Sequence, residues 1–313
     1  MGRRRARCGE GRNGRQLERS PCLRSGWRGE VERVGTGQAV LLGLVQGITE
    51  FLPVSSSAHL VLAQALLGIE PPGLTLEIAV HLGTLAAVVA VFARDLGQLL
   101  RAGGRMAGVA ARGASSREHF ARDPGARLLV LLALASGVTA ALGLTGEPWL
   151  RGAYEEPEVA ATLLLVTGAI LWGAGRLRPG TRPLAALDWR DGLLVGAAQG
   201  VAILPGISRS GTTIAAGLMT GLDRDAAARF SFLLSVPAIL GATLLEAVRL
   251  GPASLLQPGL EVTLPAMVSA AVTGFLAVTG LLRLVRRGRL GSFAYYCWVV
   301  GGGSLLWLTL AGG

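Results

Sequence analysis

Glu50 lies four residues beyond Gln46 inside an apolar run. On a helix that spacing puts a carboxylate and a carboxamide on one face, where the two can grip one ligand. A carboxylate in an apolar helix costs about 2.5–3.5 kcal/mol on insertion scales, so it normally faces a partner or a wet cavity. The competing reading is a neutral, hydrogen-bonded Glu that holds two helices together. Just beyond it Pro53 interrupts the run, and Ser55, Ser56, Ser57 and His59 open a new one. A helix start offers free N–H groups and the positive end of the dipole, which suits an anion, although serines there are also ordinary N-caps. A second break, Pro205-Gly206-Ile207-Ser208-Arg209-Ser210, leads through Gly211 and Thr212 to Thr213 and sets an arginine at another helix start. Two anion-ready helix starts and one guanidinium point to a phosphate ligand.

These residues need a membrane scaffold. Of 313 residues 51% are apolar and 16% charged, with a mean hydropathy of +0.51, against roughly 25% charged in a soluble domain. The 46 glycines suit closely packed membrane helices. Three cysteines exclude a disulfide scaffold, and Cys297, in an apolar segment, reads as packing. The charge of +10 is dispersed between apolar stretches instead of forming one face, which argues against a nucleic-acid partner. Residues 1 to 36 hold ten of the arginines, lack apolar periodicity and are expected to be a disordered extension ahead of a membrane domain at 37–313.

Apolar segments fall at about 38–52, 57–68, 75–93, 127–146, 159–175, 191–204, 211–222, 230–250, 263–283 and 292–311. Four are too short to cross: the residues from Gln38 to Leu52 make about 22 Å of helix, whereas the hydrocarbon core is about 30 Å thick. The short segments come as two pairs, each broken by proline and serine. The same lead-in precedes both breaks, Leu42-Gly43-Leu44-Val45-Gln46-Gly47 and Val195-Gly196-Ala197-Ala198-Gln199-Gly200. Interrupted segments at corresponding places in two halves predict inverted repeats, roughly 37–175 and 190–311, with a site between them. The expected fold is therefore an all-α, polytopic integral membrane protein with two inverted repeats, each containing a re-entrant helix-loop-helix pair.

Arginine placement sets the expected orientation. The loop from Arg94 to Arg127 carries seven Arg and reads as cytoplasmic, while the loop from Gly146 to Glu158, with Arg151 against four acids, reads as external. Returning Arg283, Arg286, Arg287 and Arg289 to the cytoplasm requires residues 191 to 222 to dip in and come back. Inverted symmetry then sends the first pair in from outside, against the arginine-rich N-terminal stretch, and the orientation of that terminus stays open. Other polar residues carry less. His81 reads as a packed histidine, His119 lies in a charged loop, Glu77 complements a helix start and Glu246 sits near a membrane edge.

The run from Gly43 to Leu60, with Gln46 and Glu50 as an (E/Q)-x-x-x-E pattern, resembles the first signature of the undecaprenyl-diphosphate phosphatase family, the bacitracin-resistance proteins. The second signature, P-G-x-S-R-S-x-x-T, is matched by Pro205, Gly206, Ser208, Arg209, Ser210 and Thr213, and the run from Phe230 to Ala242 is also similar. The likeness covers about residues 37 to 311. Where the family usually has Tyr-Arg near the last helix, this chain has Tyr296-Cys297.

The resemblance implies hydrolysis of undecaprenyl diphosphate to the monophosphate, which recycles a lipid carrier for cell-wall glycans at the external face of the plasma membrane. A polyprenyl-phosphate transporter would use the same inverted repeat and is the alternative. Glu50, Ser56, His59 and Arg209 are the expected catalytic residues. Gln46, Ser55, Ser57, Ser208, Ser210 and Thr213 would bind substrate, and Glu50 with Gln46 would hold a divalent cation, Mg2+ or Ca2+. Ser56 attacking with His59 as base, His59 attacking directly, and His59 activating water all remain open. The expected partners are the polyprenyl diphosphate and membrane lipid, with no nucleic acid, and a homodimer is left open.

Overall fold

The short segments separated by proline and serine form helices of half length. In the computed structural model, which describes residues 35–67, 74–111, 123–178, 180–250 and 259–311, the first pair is α1 (Thr36–Phe51) and α2 (Ser56–Leu67). The second pair is α7 (Trp189–Val201) and α8 (Arg209–Met219). Between the pairs run α3 (Leu74–Val91), α4 (Ala93–Ala111), α5 (Pro124–Glu155) and α6 (Pro157–Arg176); after them come α9 (Arg224–Leu250), α10 (Leu260–Arg286) and α11 (Phe293–Ala311). Among the described residues the regular structure is helical, apart from an isolated bridge between Arg182 and Leu222. The expected extension at 1–36 lies outside the described residues except for Gly35 and Thr36, as does His119.

Five stretches among the described residues are long and apolar enough to cross a membrane: Pro124–Gly146, Pro157–Arg176, Arg224–Arg249, Leu260–Arg286 and Leu290–Leu310. A sixth arises if Leu76–Val91 and Ala93–Ala111, bent by 83° at Phe92, are taken as one. Large apolar side chains such as Val268, Val272, Leu276 and Val299 stand more than half exposed on the outside, as lipid-facing residues do. The chain is an all-α, polytopic membrane protein.

Two expected loops are helical. The arginine-rich stretch after Arg94 forms α4, which buries Leu99 and Ala102 while Arg94, Arg101 and Arg105 stay exposed. Alone it does not count among the five spanning stretches, and turning away from α3 lets its apolar stripe pack on α5 with the arginines outward. The stretch after Gly146 continues α5 to Glu155. The chain breaks only at Glu156, extended at φ −113° and ψ 103° because it precedes Pro157.

The half-helices are seated by glycine. α1 lies along α10 so closely that a Cβ on Gly47 would stand 2.5 Å from the Ala270 carbonyl oxygen. α7 lies along α5 in the same manner, a Cβ on Gly196 meeting the Ala135 carbonyl oxygen at 2.6 Å. Small residues that let backbones touch are how helices associate in lipid. The remaining pairings follow the same exchange: α3 packs on α10 and α9 on α5, while α6 packs on α11. Arg182 ties the two ends of the second pair together, donating to Asp191 in the first turn of α7 at 3.1 and 2.8 Å and to the Thr220 carbonyl at the end of α8 at 2.7 Å. α7 therefore starts where α8 stops, as in a segment that enters and returns. Phe51, Phe230, Phe232, Leu164 and Ile214 form a dry core beside both breaks.

Candidate active site

α1 ends at Phe51 because Leu52 turns extended ahead of Pro53. Ser55 then adopts a left-handed conformation at φ 65°, uncommon for a residue with a side chain. Its surroundings hold it there: its hydroxyl accepts the Gly206 amide at 3.1 Å and its carbonyl accepts Nδ1 of His59 at 2.8 Å. At the second break Gly206 takes φ 99°, a conformation open to glycine, and Ser208 caps α8 by accepting the Gly211 amide at 3.1 Å. Thr167 on α6 fixes this turn, donating to the Gly206 carbonyl at 2.7 Å while accepting the Ser208 amide at 3.0 Å.

The two breaks are one structure. Besides the Ser55–Gly206 bond, Ser210 Oγ donates to the Leu52 carbonyl at 3.2 Å. The charged link is shorter: Arg209 Nη2 donates to Glu50 Oε1 at 2.5 Å, the pair being about one-tenth exposed. Glu50 Oε2 accepts the Ser56 hydroxyl at 2.6 Å and the Gln46 amide at 2.9 Å. Every polar contact of the carboxylate is thus a donor, and the carboxylate is held charged inside an apolar protein. A cavity of about 140 Å3 opens on this group, lined by Glu50, Ser55, Ser56, Ser57, His81, Ala202, Ile203, Ile207, Ser208 and Arg209. Both half-helix starts border it, so amides of α2 and α8 add positive potential to the guanidinium.

Of the residues singled out in the sequence, Glu50, Ser55, Ser56, Ser57, Ser208 and Arg209 line the cavity, and Gln46 is fully buried behind Glu50. Three lie apart from that lining. His59 stacks on Tyr296 at 5.7 Å, its Nδ1 on the Ser55 carbonyl and its Nε2 on the Tyr296 hydroxyl at 2.9 Å. Ser210 meets Ser208 Oγ at 3.3 Å, and buried Thr213 pairs with the Ser231 hydroxyl at 2.6 Å. Where the resembled family usually has arginine, Cys297 is buried with its Sγ 3.7 Å from the Pro53 carbonyl oxygen. Thr167, whose partners lie far along the chain, was not singled out in the sequence; Tyr296 was noted only as the neighbour of Cys297, and His81, read there as a packed histidine, lines the cavity. An ionisable side chain inside an apolar helix was the available signal for His81.

A divalent cation finds limited protein donors here. Among the described residues no three His, Cys, Asp or Glu side chains gather into a metal site, which leaves one carboxylate and the carboxamide behind it. Gln46 Oε1 is buried without a hydrogen-bond partner, an unsatisfied oxygen next to Glu50. One carboxylate and one neutral oxygen suit a hard, hydrated cation that takes its other ligands from water and phosphate.

At the base of the second hairpin, a helix length from the break, Asp188 caps α7 by accepting the Arg190 and Asp191 amides, and Asp191 answers by accepting the Asp188 amide at 2.7 Å. Burial pushes the Asp191 carboxyl up, but the bonds from Arg182 and the Asp188 amide outweigh it and hold it below the ordinary carboxylate value. This cluster anchors the hairpin that carries Arg209.

The sequence pattern of the bacitracin resistance protein BacA matches residues 39–303. An undecaprenyl-diphosphatase of Desulfatibacillum aliphaticivorans is 43% identical over 265 residues, 84% of this chain and 95% of its own length. One of Desulfosudis oleivorans is 45% identical over 276 residues, 87% of this chain and 98% of its own. One of Methanobrevibacter smithii is 40% identical over 265 residues, 84% of this chain and 94% of its own.

Proposed function

The chain belongs to the BacA family of bacitracin resistance proteins, and from that premise we propose that it hydrolyses undecaprenyl diphosphate to the monophosphate and inorganic phosphate. The observation that carries the reading is the Arg209–Glu50–Ser56 chain at the floor of the cavity, which unites an anion-binding cation, a carboxylate and a hydroxyl at two helix starts.

In the free site Arg209 is neutralised by Glu50. A diphosphate with two or more negative charges competes for the guanidinium, which can hold two phosphate oxygens at once. Glu50, relieved of its ion pair, then accepts the proton of Ser56, already hydrogen-bonded to Oε2. Ser56 Oγ attacks the terminal phosphorus in line and the lipid monophosphate leaves with the bridging oxygen and its electron pair. Arg209 and the amides opening α2 and α8 stabilise the charge spread over the phosphoryl oxygens. A Mg2+ or Ca2+ held by Glu50 with Gln46 Oε1 would supply further charge neutralisation there. Ser57 and Ser208, each paired with a neighbouring serine, border the substrate from the cavity wall; Ser210, Thr213 and His59, which lie apart from that wall, keep both breaks in register. Water completes the cycle by releasing phosphate from Ser56.

The exchange of packing partners between the two halves supports inverted repeats, and the tie at Arg182 supports re-entry of the second pair. With arginine-rich α4 and Arg283 to Arg289 on the cytoplasmic side, the reading is of a plasma-membrane enzyme whose site opens outward. The experiment is phosphate release from purified protein supplied with undecaprenyl diphosphate. Stoichiometric phosphate and monophosphate are expected, and lipid bound or moved without release would refute the reading.

A further inference from the structure

His81 lines the same cavity as Glu50, Ser56 and Arg209, yet the chemistry above leaves it without a task. Its ring has a fixed orientation. Nδ1 stands 2.7 Å from the Glu77 carbonyl oxygen, an atom that only accepts, so Nδ1 carries a hydrogen, and in the neutral ring Nε2 is then the acceptor. Nε2 has no hydrogen-bond partner among the described residues. The same logic applied to His59 gives the opposite result: its Nδ1–H goes to the Ser55 carbonyl, and its Nε2 lone pair is filled by the Tyr296 hydroxyl. Of the two histidines beside the breaks, the one bordering the cavity is the one with a vacant acceptor.

The other groups around the cavity are poor at holding a nucleophilic water. Arg209 is a donor, and Ile203, Ile207 and Ala202 are apolar. In this step Ser56 carries the phosphoryl group and Glu50 its proton, while the other serine hydroxyls are paired with one another, Ser55 with Ser57 at 3.1 Å and Ser208 with Ser210 at 3.3 Å. A lone acceptor on the wall of a site that must admit water fits one task. We infer that His81 Nε2 accepts a hydrogen bond from the water that releases phosphate from Ser56, and so orients its oxygen toward phosphorus.

This rests on the serine reading above. In the step concerned, a bond forms between the water oxygen and phosphorus as the bond from phosphorus to Ser56 Oγ breaks. The departing Oγ takes back the proton held by Glu50, and both hydrogens of the water remain on the product phosphate. No further reactant is needed. Misaligning an attacking atom by about 1 Å costs about 10²-fold, which sets the size of the effect.

The test uses purified protein and undecaprenyl diphosphate labelled in its terminal phosphate. In His81→Leu the first half-reaction proceeds: a burst of about one monophosphate per enzyme, label retained on the protein after acid quench, then a steady rate about 10²-fold below the parent. His81→Gln, whose side-chain carbonyl is again an acceptor, returns the steady rate to within about fivefold of the parent and removes the retained label. If His81→Leu does not fold, His81→Ala takes its place with the same expectation. The inference is overturned if the steady rate of the leucine variant stays within about threefold of the parent, if the loss falls on the burst itself, or if glutamine fails to recover what leucine loses. Ser56→Ala, run alongside, must give neither burst nor label. Normal turnover there refutes the serine reading, a failure separate from that of His81.

Discussion

The first break and the second are built alike and equipped differently. In each, a serine opens the new half-helix, Ser55 or Ser208, and a second serine two residues on lies within 3.1 or 3.3 Å of it. In each, the preceding helix carries a fully buried glutamine and a glycine pressed on the backbone of a long helix. The differences fall at two positions. Between those serines the first break has Ser56 where the second has Arg209. Ahead of the proline the first has Glu50 in contact with Gln46, whereas the second offers Ala202 and Ile203, and Gln199 donates to Thr139 at 3.1 Å. The common scaffold makes two anion-ready helix starts, and divergence at these positions makes them one site. Acid and hydroxyl come from one half and cation from the other.

That comparison is broken most severely by removing the cation. Arg209→Ala should abolish phosphate release, and Arg209→Lys, which keeps charge but loses the planar fork, should cost about 2–4 kcal/mol in turnover with little change in KM. A steady-state assay on reconstituted protein reads both, and a lysine variant at parental speed would reduce Arg209 to a point charge. Next in size, Ser56→Ala should lower turnover by at least about 10²-fold and prevent label from reaching the protein.

The paired glutamines sharpen the contrast, because both are buried and both leave Oε1 without a partner. Gln46→Leu should lower turnover about tenfold or more and weaken the response to added Mg2+, since it strips the neutral oxygen beside Glu50. Gln199→Leu should leave turnover unchanged and cost about 1 kcal/mol in stability, one hydrogen bond to Thr139. Equal effects on turnover would erase the division of labour between the halves.

The smallest effect concerns the anchor of the second break. The Asp191 carboxyl is held below its ordinary value of 3.8, so its contribution to stability is complete above that pH and is lost as pH falls through the depressed value. Asp191→Asn should therefore destabilise the protein by about 1–3 kcal/mol at pH 7, and thermal unfolding in detergent should show the difference from the parent shrinking as the pH drops below about 3.8. A difference that grows with acidity would mean that Asp191 is not held by Arg182.

Much of this was legible before any coordinates. Segment length against bilayer thickness, with proline and serine at the breaks, located α1, α2, α7 and α8 within about three residues, and Glu50 and Arg209 stood out as charges in apolar runs. Hydropathy could not separate an arginine-rich loop from α4, whose helical stripe is narrow, nor end α5 at Glu155, where the signal was the proline two residues on. Spacing along the chain brought His59 close to Ser56, but the ring turns to Tyr296, 237 residues away, a partner that no local pattern contains. His81 reads from sequence as packing because a lone histidine on an apolar helix usually is; one of its nitrogens does bond its own helix, and the other, vacant one becomes visible only when the cavity is formed.

The central claim is that the two breaks act as one site through Glu50 and Arg209, and a double-mutant cycle on phosphate release tests it most directly. With Glu50→Gln, Arg209→Ala and the double variant measured together, groups that work as a unit lose nearly everything in either single variant. The double variant should then be no slower than the worse single. Losses that multiply in the double variant, or an Arg209→Ala protein that still releases phosphate at the parental rate, would mean that the second break lies outside the active site.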